Sequence, residues 1–165
     1  MTDLDTADLS ADELAHLSHA VDLARRARER GDHPFGSVVV TPGGTVIEGM
    51  NSVLTQSDPT GHAETNVVRA AAAALDAVEL AASTLYTSTE PCAMCAGAIY
   101  WSGIGRVVFA LGEDVLIEMV REQEGVPTMA LPCREVFARG GRAVDVVGPV
   151  DVPGAHEVHE GFWDA

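Results

Sequence analysis

Residues 58–64 read DPTGHAE and residues 90–95 read EPCAMC. The first stretch offers an imidazole, His62, with a carboxylate two positions on, Glu64. The second offers two thiols, Cys92 and Cys95, three positions apart. On the first turn of a helix that spacing puts both thiols on one side. The positive end of the helix favours thiolate, the form a metal needs. His62 begins a second helical pattern after a loop, so two helix N-termini on one side of a sheet would supply one nitrogen and two sulfurs. Three ligands is the number a catalytic zinc takes when it keeps a fourth position for water. Glu64 would reach that water without being a ligand, accept its proton and later deliver protons to a leaving group.

The close cysteine pair has other readings. A structural zinc site wants four protein ligands, normally a second cysteine pair or a histidine pair, and only Cys133 remains. A redox pair would leave His62 and Glu64 without a role. With Thr89-Glu90-Pro91 directly before it and His62-Ala63-Glu64 upstream, the pair reads as part of a hydrolytic zinc site. Three cysteines, an odd number, in a chain whose N-terminus is acidic and polar argue against a disulfide framework. Cys133, alone in ALPCREVF, reads as a buried small hydrophobe.

The elements that must position these groups are legible from periodicity. Ser10 and Glu13 form a capping box for a helix that Gly31 stops. Residues 37–41 and 45–49 flank Pro42-Gly43-Gly44 as a β-hairpin. A polar loop over 51–61 leads to a helix from His62 through residue 75. Residues 83–88 are a strand, and Pro91 starts a helix over 92–101. A strand at 106–111, a helix around 115–124 ended by Gly125 and Pro127, a strand at 142–148 and a short terminal helix at 156–163 complete the chain. Helices alternating with strands after a hairpin predict one three-layer α/β/α domain over residues 1–165 with a central mixed five-stranded sheet.

The formal charge is −15, and all ten basic residues are Arg. Polyanion binding needs cations to displace counterions from phosphates, so nucleic acid is an unfavoured partner and a small neutral molecule the expected one. The only cluster of cations, residues 25–30, reads as a solvated helix face. No apolar run approaches the length of a membrane span, and the acidic N-terminus is unlike a targeting leader. The expectation is a cytoplasmic protein.

His62-Ala63-Glu64 with Pro91-Cys92-Ala93-Met94-Cys95 resembles the signature of the zinc-dependent cytidine-deaminase-like superfamily. The resemblance covers roughly residues 33–112, including HPFGSVVV, GMN at 49–51, SDPTGHAE and LYTSTEPCAMCAGAIYW. Within the superfamily the chain looks most like bacterial guanine and nucleobase deaminases, with tRNA adenosine deaminases as close relatives. The resemblance implies that His62, Cys92 and Cys95 hold zinc and that Glu64 shuttles protons. It implies that Asn51 and the Ala63 amide hydrogen-bond the base, and that Phe35 and Trp101 enclose the ring. It also implies a homodimer whose C-terminal segment, about residues 150–165 with His156, His159, Phe162 and Trp163, covers the site. His16, His19 and His33 have no motif support and read as surface or satisfied residues.

The chain departs from that pattern twice. Bacterial guanine deaminases carry an additional aspartate after the fourth strand that assists proton transfer, for which Asp114, Glu118, Glu122 and Glu124 are candidates here. Asn66, one turn beyond His62, stands where relatives have a small or apolar residue; it either enters the pocket or caps buried backbone. The expected activity is hydrolytic deamination of a free nucleobase or related amino-heterocycle, a guanine-like purine first and aminopyrimidines or aminotriazines next. A tRNA adenosine deaminase and a non-catalytic zinc module for dimerisation or ligand sensing are the alternatives.

Overall fold

The computed structural model describes residues 9–121 and 125–164. Helix α1 (Ala11–Arg30) opens with the capping box, Ser10 and Glu13 exchanging side-chain and backbone bonds, and closes on Gly31 in the left-handed conformation. Strands β1 (Gly36–Val40) and β2 (Val46–Met50) form the hairpin. The segment expected to be a polar loop contains the short helix α2 (Val53–Gln56). A remote residue starts it: the Asp32 carboxylate accepts from the Leu54 and Thr55 amides and from the Thr55 hydroxyl.

Helix α3 (Ala63–Ala74) follows, then α4 (Ala77–Ala82), which begins at its own Asp76–Glu79 capping box and was not foreseen. Strand β3 (Thr84–Thr89), helix α5 (Ala93–Ser102) and strand β4 (Arg106–Leu111) match the periodicity. Helix α6 (Glu113–Val120) starts two residues earlier than expected, which puts Glu113 in its first turn. Helix α7 (Cys133–Ala138) was also unforeseen. The last strand is only β5 (Asp145–Val147). Arg142, expected within it, turns instead to the carbonyls of Ile99, Tyr100 and Ile104 at the end of α5. The terminal segment makes a single 3₁₀ turn at Glu157–His159.

The strands form one sheet in the order β2-β1-β3-β4-β5, antiparallel across β1 and parallel from β3 onward. Alternation along the strands feeds two cores. Val38, Tyr86, Val108 and Val147 face α1 and the apolar residues of the tail, Val150, Val152, Ala155 and Val158. Val39, Leu85, Val107 and Phe109 face α3, α5 and α7. The result is a five-stranded mixed sheet between helical layers, as the sequence pattern predicts. No helix among the described residues is long and apolar enough to cross a membrane.

Gly49 governs how closely α3 lies on β2. A Cβ there would stand 2.6 Å from the Ala63 carbonyl oxygen and 2.7 Å from Val67 Cβ, contacts that backbone cannot yield to without moving α3. Gly49→Ala is therefore expected to destabilise the protein by about 1–3 kcal/mol, read as a lowered urea midpoint with an unchanged slope.

Candidate active site

Because β1 is antiparallel to both β2 and β3, strands β2, β3 and β4 run the same way and end at the same edge of the sheet. Helices α3, α5 and α6 start beyond that edge, where α/β sheets commonly bind ligands. His62 is the N-cap residue of α3 and Cys92 that of α5. The metal-binding atoms of His62, Cys92 and Cys95 lie within 4.8 Å of one another. His62 Nδ1 is 3.7 Å from Cys92 Sγ and 3.5 Å from Cys95 Sγ.

The charges fit a cation between these atoms. The Cys92 thiol is drawn down to about 4 by hydrogen bonding with Cys95 and His62, and Cys95 is pushed well up by sharing that bond and by burial. His62 is raised by its bond with Cys92. One imidazole nitrogen and two sulfurs, one of them already thiolate, suit zinc and not a hard oxygen-seeking ion. Glu64 is 4% exposed. Burial raises its carboxyl, Thr87 donates to its Oε1 at 3.1 Å, and the Thr87 hydroxyl is itself fixed by Ser37. That chain of bonds through β1 and β3 holds the carboxyl beside the three ligands.

These groups form the floor of a cavity of about 360 Å³. Glu90 and Glu113 add two further carboxyls, and His33, Phe35 and Thr89 line it as well. The opposite wall is apolar: Leu116, Ile117 and Val120 of α6, with Val126, Pro127 and Met129 beyond. Trp163, from the tail, closes one side. The tail is anchored within the same chain. Arg28 donates to the Val158 carbonyl and lies over the Phe162 ring. The Trp163 indole donates to His159 Nδ1 and stacks on that ring, while Phe35 and His33 meet Trp163 from below.

Of the residues marked from sequence, His62, Glu64, Cys92, Phe35 and Trp163 line the cavity. Cys95 lies buried directly behind the first three. Ala63 is buried as the first residue of α3, where a helix leaves amides unpaired. Asn51 is buried; its Oδ1 accepts from the Val53 amide, and its Nδ2 has no partner among the described residues. Trp101 is a correction. It stands 84% exposed at the far end of α5, beside Met94 and Val68, and does not reach the cavity, because the helix turns its side chain to the outer face. Asn66 does not enter the cavity either: its amide donates to the Met50 carbonyl and the Ser52 hydroxyl, tying the Asn51 loop to α3.

Asp114 and Glu118 are exposed, and Glu118 pairs with Arg121. Glu122 and Glu124 lie outside the described residues. Among the described residues, Glu113 is the acidic residue after β4 that lines the cavity; periodicity starts the helix only at residue 115 and so leaves it out of the candidates. Glu90, directly before Pro91 and the cysteine pair, also lines the cavity. Its two oxygens accept from the amides of Glu113 and Cys133, which fastens the Cys92 loop to the starts of α6 and α7.

Residues 10–111 match the family model for the cytidine and deoxycytidylate deaminase zinc-binding region. A probable cytosine deaminase of Schizosaccharomyces pombe is 37% identical over 161 residues, 98% of each chain. A tRNA-specific adenosine deaminase of Haemophilus influenzae is 43% identical over 98 residues, 59% of this chain and 57% of that one. Among solved structures, the guanine deaminase from Nitrosomonas europaea superimposes with a TM-score of 0.76 at 28% identity, covering 95% of this chain and 87% of the other.

His159 ties tail docking to pH. Burial, then the charges of His156 and Arg28, lowers it from 6.5 to about 4, so the docked tail needs the neutral ring. A depressed histidine leaves docking at full strength above about pH 6.5 and weakens it as pH falls towards 4, where the undocked chain binds the extra proton. The protection factor of the Val158 amide against hydrogen exchange is expected to fall across that window. In His159→Phe, which keeps an aromatic ring without a titrating group, it should stay flat.

Proposed function

This chain belongs to the family of zinc-binding cytidine and deoxycytidylate deaminases, and we propose that it hydrolyses the exocyclic amino group of a free, uncharged heterocycle. A cytosine-type aminopyrimidine is the first substrate and a guanine-like purine the second. The lining of the cavity carries this reading. Glu64, Glu90 and Glu113 face it, and no Arg lines it among the described residues. A phosphate there would meet negative charge with nothing to pair it, which argues against nucleotides. The volume lies at the low end of small-molecule sites, and Phe35 and Trp163 offer flat apolar faces to a planar ring. The pyrimidine stands first because the probable cytosine deaminase is 37% identical over 98% of this chain. The purine stays because the likeness to a guanine deaminase also spans nearly the whole chain.

The reaction adds water to the amino-bearing ring carbon and breaks its C–N bond, giving an oxo ring and ammonia. His62, Cys92 and Cys95 would hold zinc, which would supply Lewis acidity for the activation of water at neutral pH. Glu64 takes a proton from the attacking water as a carboxylate and, its acid form then favoured by burial, passes it to the ring nitrogen beside the reacting carbon. It next takes the remaining proton of the added oxygen and delivers it to the departing amino group, which leaves as ammonia while the oxo group forms. The unpaired Asn51 Nδ2 offers a hydrogen bond to a ring oxygen or nitrogen, and the Ala63 amide a second.

Deamination of tRNA would need a cationic surface, and a chain of charge −15 without Lys is poorly equipped for one. A purely structural metal site would have no use for the buried Glu64 beside the ligands. A homodimer is the assembly that would cover the exposed Trp101 and Met94.

Zinc-loaded protein is expected to release ammonia from cytosine or guanine. Glu64→Gln should lower that rate by roughly 10²–10⁴-fold while binding one zinc per chain like the parent. Silence of the zinc-loaded parent towards both bases and related aminopyrimidines, with turnover of a tRNA anticodon stem instead, would sink the free-base reading.

A further inference from the structure

We infer that Glu113 sets the range of rings this enzyme accepts: its carboxylate receives a ring N–H of the heterocycle on the edge that faces α6. The site thereby selects rings that carry a donor there over rings that do not. This rests on the free-base reading above.

Glu113, Leu116, Ile117 and Val120 fall at i, i+3, i+4 and i+7 along α6 and all line the cavity. They share one face of the helix, and Glu113 is the only polar member of that stripe. Its root is fixed, since its own amide donates to Glu90 Oε2 at 3.1 Å. Its Oε2 is buried and has no hydrogen-bond partner among the described residues. The neighbours offer it nothing: both Glu90 oxygens are taken by amides, and Glu64 is served by Thr87. Burial, then the charges of Glu90, Cys92 and Glu64, pushes the Glu113 carboxyl up to about 7, the mark of a place rich in negative charge and short of donors.

A buried acceptor left unpaired is costly, whereas a bond to a charged group is among the stronger hydrogen bonds. Among the described residues Oε2 stays unpaired while the cavity is empty, and a bound ring that meets the carboxylate can supply the missing bond. A ring with an N–H on this edge does so. A ring presenting a methyl group there does not, and a site built around a polar partner strongly rejects analogues that lack it.

Two matched pairs test this: cytosine against 1-methylcytosine and guanine against 9-methylguanine, each with zinc-loaded protein. The preference is the ratio of kcat/KM where a ring is turned over and of Kd where it is only bound, with ammonia followed in parallel. Wild type is expected to favour the N–H member of at least one pair by roughly ten- to a hundredfold. Glu113→Leu, which fills the space without an acceptor, should bring that ratio close to one, so that steric exclusion of the methyl group does not explain the preference. Glu113→Gln keeps one carbonyl oxygen and should fall between; it decides the matter if the Leu variant fails to fold. A wild type without preference, or a ratio unchanged in the variants, overturns the assignment. A Glu113-dependent preference with no ammonia from either pair would sink the deaminase reading and leave this one standing.

Discussion

The meeting of two helix N-termini at one edge of the sheet is the constraint on which this molecule is built. His62 and Cys92 are the N-cap residues of α3 and α5, so the distance between those two helix starts is also the distance between metal-binding atoms. Three sulfur and nitrogen atoms and a buried carboxyl sit where helix dipoles favour negative charge. The close approach of α3 to Gly49 and the Asn66 tether to the Asn51 loop both serve this placement, since each fixes where α3 begins. The Glu64–Thr87–Ser37 chain fixes the carboxyl from the other side, through the sheet.

A second organising group is Glu90. One carboxylate spends both oxygens on backbone amides of residues 113 and 133. It thereby binds the loop that carries Cys92 to the helix that forms the cavity's apolar wall and to the helix packed beneath the sheet. Carboxyls around the cavity thus divide: Glu64 lies buried beside the metal-binding atoms, Glu90 is consumed by the backbone, and Glu113 is left with an unpaired oxygen among the described residues.

Much of this was legible in the sequence, and for identifiable reasons. The i, i+3 cysteines and the i, i+2 His–Glu pair depend only on helical geometry, so their convergence required no knowledge of loops. The strands followed from alternation, and α1 from a capping box whose two bonds are local. What failed was set by distant partners. Helix α2 forms because Asp32 caps it from over twenty residues away. Strand β5 is short because Arg142 is drawn to the end of α5. Glu113 was missed because the start of α6 was misplaced by two residues, and Trp101 was misplaced because periodicity does not tell which face of α5 meets the cavity. Asn66 had two readings that only the position of the Met50 carbonyl could separate.

The tail that supplies Trp163 also imposes an order of assembly on synthesis. Every group of the floor, from His62 to Cys95, is synthesised well before residue 163. The indole that closes one side of the cavity is therefore the last part of the site to be made, and it is held in place by a segment whose own apolar residues complete one of the two cores.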